Sequence, residues 1–211
     1  MIDTVITVAR QYGSGGRFVA KKLAERLGIP YYDKELLTLA AKESGICEEM
    51  FEDHDEKPTR SLLFSLGTGM QMRGDAGSVY MDMPLNHKIF LAQFDTIRNV
   101  AAKGPCVIVG RCGDYVLRER KDVLRVFVYA PKEWRLEYAK TNPLVKAKDE
   151  KGIKDEVEKT DRNRSAYYNY YTQNRWGDAH NYDLAINAAL GRETCVKMIL
   201  DAAAAKEKNL G

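Results

Sequence analysis

The chain has 211 residues, 45% hydrophobic and 30% charged, with a formal net charge of +3, enough for one sizeable core with a small appended lobe. That charge is too small to argue for nucleic acid by itself, and it is compatible with an anionic small molecule at a local basic site. Its four cysteines form no CxxC pair, no signal-peptide pattern opens the chain and no 18-residue apolar run is present. These features argue against zinc and a membrane span and for reduced thiols in a cytoplasmic protein.

Thr4 to Ala9 is a β-branched apolar run, as in a strand buried on both faces of a parallel sheet. Arg10 to Arg17 then holds three glycines, and Val19, Leu23 and Leu27 recur every four positions among charges, as on an amphipathic helix. Strand, glycine loop and helix together aim backbone N–H groups and a helix N-terminus at one point, which favours an anion such as phosphate. Arg10, Ser14 and Arg17 are the side chains placed to assist, around Gly13, Gly15 and Gly16. The stretch matches neither GxxxxGK[ST] nor GxGxxG, so a plain glycine turn stands beside an unorthodox phosphate loop as the alternative.

Gly28 closes the first helix, Ile29 to Tyr32 reads as a second strand, and Asp33 is placed to cap a helix from Lys34 to about Ser44. From Ile46 to about Pro84 the periodicity fails. An acidic run, Glu48 to Glu56, reads as a solvated insertion or a functional loop, and Arg60 and Arg73 are its anion binders. Asn86 to Lys103 reads as a helix, and Cys106 to Val109 as a strand ending in Gly110-Arg111-Cys112-Gly113-Asp114. Arg111 and Asp114 therefore emerge at the carboxyl end of a central strand, where open α/β sheets bind ligands, although a structural ion pair between Arg111 and a loop carboxylate is the alternative. Leu124 to Tyr129 is a fourth strand, Pro131 opens the next helix at its first position, and a long helix runs from about Ile153 to Gln173. Tyr167, Tyr168, Tyr170 and Tyr171 on it have packing spacing. Tyr182 to Asn187 is the fifth strand, and the closing helix from Gly191 turns Cys195, Met198, Ile199 and Ala202 inward.

ITVARQYGSGGRFVAKKLAERLGIPYYD resembles the opening of the bacterial cytidylate kinases and, more closely, of the cytidylate kinase-like group. VIVGRCGDYVL, APKEWR, KTDRNRSAYYNYYT and WGDAHNYDLAIN extend the likeness over nearly the whole chain apart from Glu48 to Met83. The resemblance implies an α/β P-loop fold of the nucleoside monophosphate kinase type, with a five-stranded parallel sheet covered by helices on both faces. It implies a single kinase-like domain, with core 1–45, 86–145 and 176–211, an acceptor-binding insertion at about 46–85 and a helical lid at about 146–175. On an ungapped alignment, Gly16 stands where the family has its phosphate-binding lysine and Phe18 where it has its magnesium-binding Ser or Thr.

Carried onto this chain, the resemblance gives the glycine loop and Arg17 the phosphates of ATP with Mg2+, Arg60, Arg111 and Asp114 the acceptor, and Arg162 and Arg164 of the lid the transferring phosphoryl group. No dedicated metal ligand is assigned, and nucleotides are the expected partners, without nucleic acid or membrane; a homodimer is left open. The function so implied is transfer of a phosphoryl group from ATP to a nucleoside monophosphate or other small acceptor. The alternative is a catalytically silent nucleotide- or anion-binding sensor with a degenerate loop.

Overall fold

The computed structural model describes residues 3–57, 84–143 and 145–209. Arg60, Arg73 and most of the expected acceptor-binding insertion lie outside them. Five parallel strands form one sheet in the order β2-β3-β1-β4-β5: β1 Val5–Arg10, β2 Tyr31–Tyr32, β3 Val107–Val109, β4 Val123–Tyr129 and β5 Leu184–Asn187. β1 is buried along its whole length because it pairs on both sides, with Val8 opposite Val109 of β3 and Val126 of β4. Its continuous apolar run follows directly, since neither face meets water.

Alternation along β1 divides the core in two. Ile6 and Val8 join Val19, Leu23 and Ile199 beneath α1 (Gly16–Leu27) and the C-terminal helix α8 (Arg192–Lys208). Val5 instead joins Leu36, Ile97, Val100 and Ile108 beneath α2 (Glu35–Ser44) and α4 (Leu85–Ala102). On α8 the buried positions are Cys195, Val196, Ile199 and Ala203. Met198 is 38% exposed, a quarter-turn from where the periodicity put it.

Two further elements depart from the sequence reading. The acidic run is solvated but not a loop: Glu48–His54 is a helix, α3, with Glu48, Glu49, Glu52 and Asp53 exposed and fully buried Phe51 anchoring it against Leu37, Ala40 and Ile89. Asp33 is not a helix cap, because α2 starts after Lys34 and no side chain caps it. Pro131 likewise sits just before α6 (Lys132–Thr141), in an extended conformation, rather than within its first turn. The short α5 (Gly113–Val116) follows β3, and the long α7 is Glu150–Thr172. On α7, Tyr171 stacks on Phe90 at 3.9 Å between ring centres, and Tyr167 and Tyr168 are buried, so the tyrosines pack the helix down. No helix among the described residues is long and apolar enough to cross a membrane.

Candidate functional site

The carboxyl ends of β1, β2 and β3 deliver Arg10, Asp33 and Arg111 to one edge of the sheet, and α1 and α7 bring Arg17 and Arg164 to the same edge. Two different environments meet there.

The first is the glycine loop between β1 and α1. Gly13 and Gly15 have φ of 76° and 77°, the left-handed region that lets the chain turn its N–H groups inward. Ser14 is fully buried, and its hydroxyl donates to the Gln11 carbonyl at 2.9 Å and accepts from the Gly16 N–H at 3.3 Å, so it holds the turn. Gly16 opens α1 where no side chain fits: a Cβ there would lie 2.7 Å from Cβ of Arg10 and 3.1 Å from Cβ of Val128. A side chain as large as lysine is sterically excluded at this position. Beside the loop is a cavity of about 500 Å³, lined among others by Arg17, Phe18, Lys21, Lys34 and Tyr138. Lys21 and Lys34, both exposed, make no ion pair among the described residues.

The second environment is a buried charge cluster behind the loop. Glu56, just after α3, accepts from Arg10 at 2.6 Å, from Nε of Arg164 at 3.0 Å and from the Arg111 backbone N–H at 3.1 Å. Arg111, with a side chain 1% exposed, pairs with Asp55 at 2.8 Å and Asp33 at 3.4 Å and donates to the Val109 carbonyl at 3.1 Å. Asp33 also holds Nε of Arg17 at 2.5 Å and accepts from the Tyr31 hydroxyl at 3.2 Å. A side pair ties α7 to the loop: Asp161 accepts from the Tyr12 N–H at 2.6 Å and from Arg135 at 2.5 Å, while Arg164 donates to the Arg10 carbonyl at 3.2 Å.

Ionisation follows this geometry. Burial alone would raise the Asp33 and Glu56 carboxyls, but Arg10 and its neighbours Arg111 and Arg17, or Arg164, outweigh it and hold both below the ordinary carboxylate range. Asp55 and Asp161 are dominated by burial and are raised. Burial and the nearby Arg10 guanidinium lower Arg164, the mark of two arginines sharing one carboxylate.

The structure thus brings Arg10, Arg17, Arg111 and Arg164 together, and engages each guanidinium with a carboxylate. Arg162 stays outside. Successive helix positions turn by about 100°, so residues two apart face away from each other while those three apart share a face. Asp161 and Arg164 point into the site, and Arg162 is exposed, its charge felt by Glu158. Asp114 is buried, accepts from the Tyr168 hydroxyl at 2.6 Å, and is raised above its ordinary value by that burial. Sequence reasoning gave no site role to Glu56, Asp55, Lys21 or Lys34, placed Asp161 only within the TDRNRS segment, and cast Asp33 as a cap. The three-residue helical spacing of Asp161 and Arg164 was a usable signal; nothing local pointed to Glu56.

The loop cavity is lined by Gly13, Gly15 and Gly16 and by Lys21 and Lys34, which make no ion pair among the described residues, a lining whose charge suits a nucleotide phosphate chain. Among the described residues no three His, Cys, Asp or Glu groups converge, and Phe18 offers no hydroxyl to a magnesium ion at the loop. Magnesium at this site would arrive with the nucleotide, coordinated by phosphate and water.

A parallel five-stranded sheet with a glycine loop between its central strand and first helix defines the class: a P-loop kinase fold. Solved structures agree. A shikimate kinase from Bacteroides thetaiotaomicron matches at TM-score 0.54 and 12% identity, over 94% of this chain and 97% of that one. A gluconokinase from Sinorhizobium meliloti 1021 matches at TM-score 0.54 and 14% identity, over 99% and 96%. An uncharacterized protein from Eubacterium ventriosum matches better, at TM-score 0.69 and 27% identity over 95% and 98%. The search of curated proteins finds no match. The cytidylate kinase-like family profile covers residues 5–189, and the chain belongs to that family.

Proposed function

We propose that this protein is an ATP-dependent phosphotransferase acting on a nucleoside monophosphate or another small acceptor. The observation that carries the reading is the glycine loop opening into a cavity of about 500 Å³ between α1 and α6, in a chain of the cytidylate kinase-like family. Loop N–H groups, Lys21 and Lys34 hold the donor phosphates, with Arg17 at the mouth of the cavity. Arg164 and Arg10 stand between this cavity and Arg111, where the transferred group and the acceptor meet. Phosphoryl transfer asks little covalent chemistry of a protein; it needs donor and acceptor held in line and charge on the phosphoryl oxygens neutralised. Arg60 and Arg162 remain part of the family expectation for acceptor and lid, and Arg162 would need a turn of α7 to take part. Asp114, held by Tyr168, shapes the acceptor end from behind.

A second reading has its own support: the carboxylate-paired arginines and the steric exclusion of a lysine at Gly16 suit a nucleotide-binding sensor. ADP release measured across a panel of nucleoside monophosphates and small alcohols separates the two. A phosphotransferase releases ADP with at least one acceptor far above the ATP-only rate. A protein that binds ATP with magnesium and releases no ADP with any acceptor is a sensor.

A further inference from the structure

Glu56 is the only carboxylate among the described residues that two buried arginines share. Its carboxylate receives two guanidiniums and one backbone N–H, a donor set suited to any oxyanion of similar size. The contact is made by strained backbone on both sides: Glu56, Arg111 and Cys112 have φ of 50°, 52° and 56°. Such conformations are unfavourable for residues with a side chain and gather at ligand clamps and switch regions. Gly110 leaves the space the contact needs, since a Cβ there would overlap both a guanidinium nitrogen of Arg10 and the Glu56 carboxylate. Charge is also left over. Among the ion pairs of the described residues, the guanidiniums of Arg10, Arg17, Arg111 and Arg164 meet the carboxylates of Asp33, Asp55 and Glu56, while Asp161, which also faces Arg164, is matched by its own partner Arg135; replacing Glu56 by a dianion would bring this set of pairs to neutrality.

We propose that the cradle formed by Arg10, Arg164 and the Arg111 N–H is an oxyanion-binding site, occupied in the resting protein by the chain's own Glu56, which an incoming phosphate or carboxylate group displaces. The proposal deepens the phosphotransfer reading by naming what the acceptor end exchanges for its ligand, and it rests on that reading only for the ligand's role, not for its binding. Glu56 leaves at the end of α3, so exchange loosens the α3 terminus while the arginines keep a partner throughout.

The test needs no ATP. Inorganic phosphate and malonate are titrated calorimetrically, at constant ionic strength, into the wild-type protein and into Glu56→Gln, which keeps the side-chain shape and removes the charge. Tighter binding by tenfold or more in Glu56→Gln supports the site, and the anion that gains more identifies phosphoryl or carboxylate chemistry at this end. Adding Arg164→Ala to Glu56→Gln should abolish the gain. A folded Glu56→Gln that binds both anions no better than wild type overturns the proposal. Should that variant fail to fold, hydrogen exchange in the wild-type protein decides: saturating anion should speed exchange at Glu56 and Lys57, and unchanged or slowed exchange there overturns it. Because neither arm measures turnover, a protein inactive in ADP release can still pass, and an active one can still fail.

Discussion

The two halves of the site use opposite solutions for positive charge. Around the glycine loop, besides Arg17 held by Asp33, the cations are two lysines on exposed faces, without ion pairs among the described residues, beside a cavity of about 500 Å³. Behind it they are largely buried arginines, each paired with a carboxylate. Burial explains the difference. A lysine in water can wait unpaired, whereas an unpaired guanidinium in the interior carries a desolvation cost that a partner must offset. The loop side can therefore take an anion without giving one up, whereas an anion binding on the buried side would have to replace a carboxylate already there.

The sharpest way to separate the halves is to add one methyl group to each. Gly110→Ala pushes a Cβ into Arg10 and Glu56 at a φ of 72°, and should lower stability by about 2–4 kcal/mol. Gly15→Ala, with nothing nearer than 3.6 Å, should cost only the left-handed strain of about 1–2 kcal/mol. Urea unfolding of both variants checks the ordering, and equal losses would erase the distinction. Next in size, Lys21→Ala with Lys34→Ala should weaken ATP binding roughly ten- to thirtyfold in calorimetry and reduce its salt dependence, leaving adenosine binding unchanged.

Acid should act on the buried half. Asp33 and Glu56 have carboxyls held below their unfolded values, so their contribution is fully present above about pH 5 and is lost as pH falls through the ordinary carboxylate range and below. Asp55 and Asp161, raised by burial, work in the other direction, gaining stability as they protonate on the way down. The melting temperature should hold or rise slightly from pH 7 to about 5 and then fall below about pH 4, and Glu56→Gln should flatten that fall. The smallest effect belongs to Arg162→Ala. On the exposed face of α7 it should change stability by less than about 0.5 kcal/mol and leave ATP affinity unaltered, as checked by the same unfolding and titration.

The loop half was legible because it is contiguous: apolar run, glycines and helical period stand side by side from Thr4 to Leu27, and local pattern decides local structure. The parallel sheet was legible for the same reason, although β2 shrank to Tyr31–Tyr32 and β5 begins at Leu184. The buried half depends on contacts no window of sequence contains. Glu56 meets Arg10 across 46 positions and Arg164 across 108, and an acidic run seen alone looks like solvated surface. Asp33 followed its strand closely enough to suggest a cap, yet a carboxylate at the carboxyl edge of the sheet has stronger partners in Arg17 and Arg111 than in free helix N–H groups.

The central claim is that the glycine loop receives the donor phosphates. Backbone amide shifts of the isotopically labelled protein, followed while ATP with magnesium is added, test it most directly. The account predicts the largest changes at Gly13, Gly15, Gly16, Arg17 and Phe18, with smaller ones reaching Lys21 and Lys34. Saturable ATP binding that leaves the amides of residues 13 to 18 unmoved, with its changes elsewhere, would contradict it.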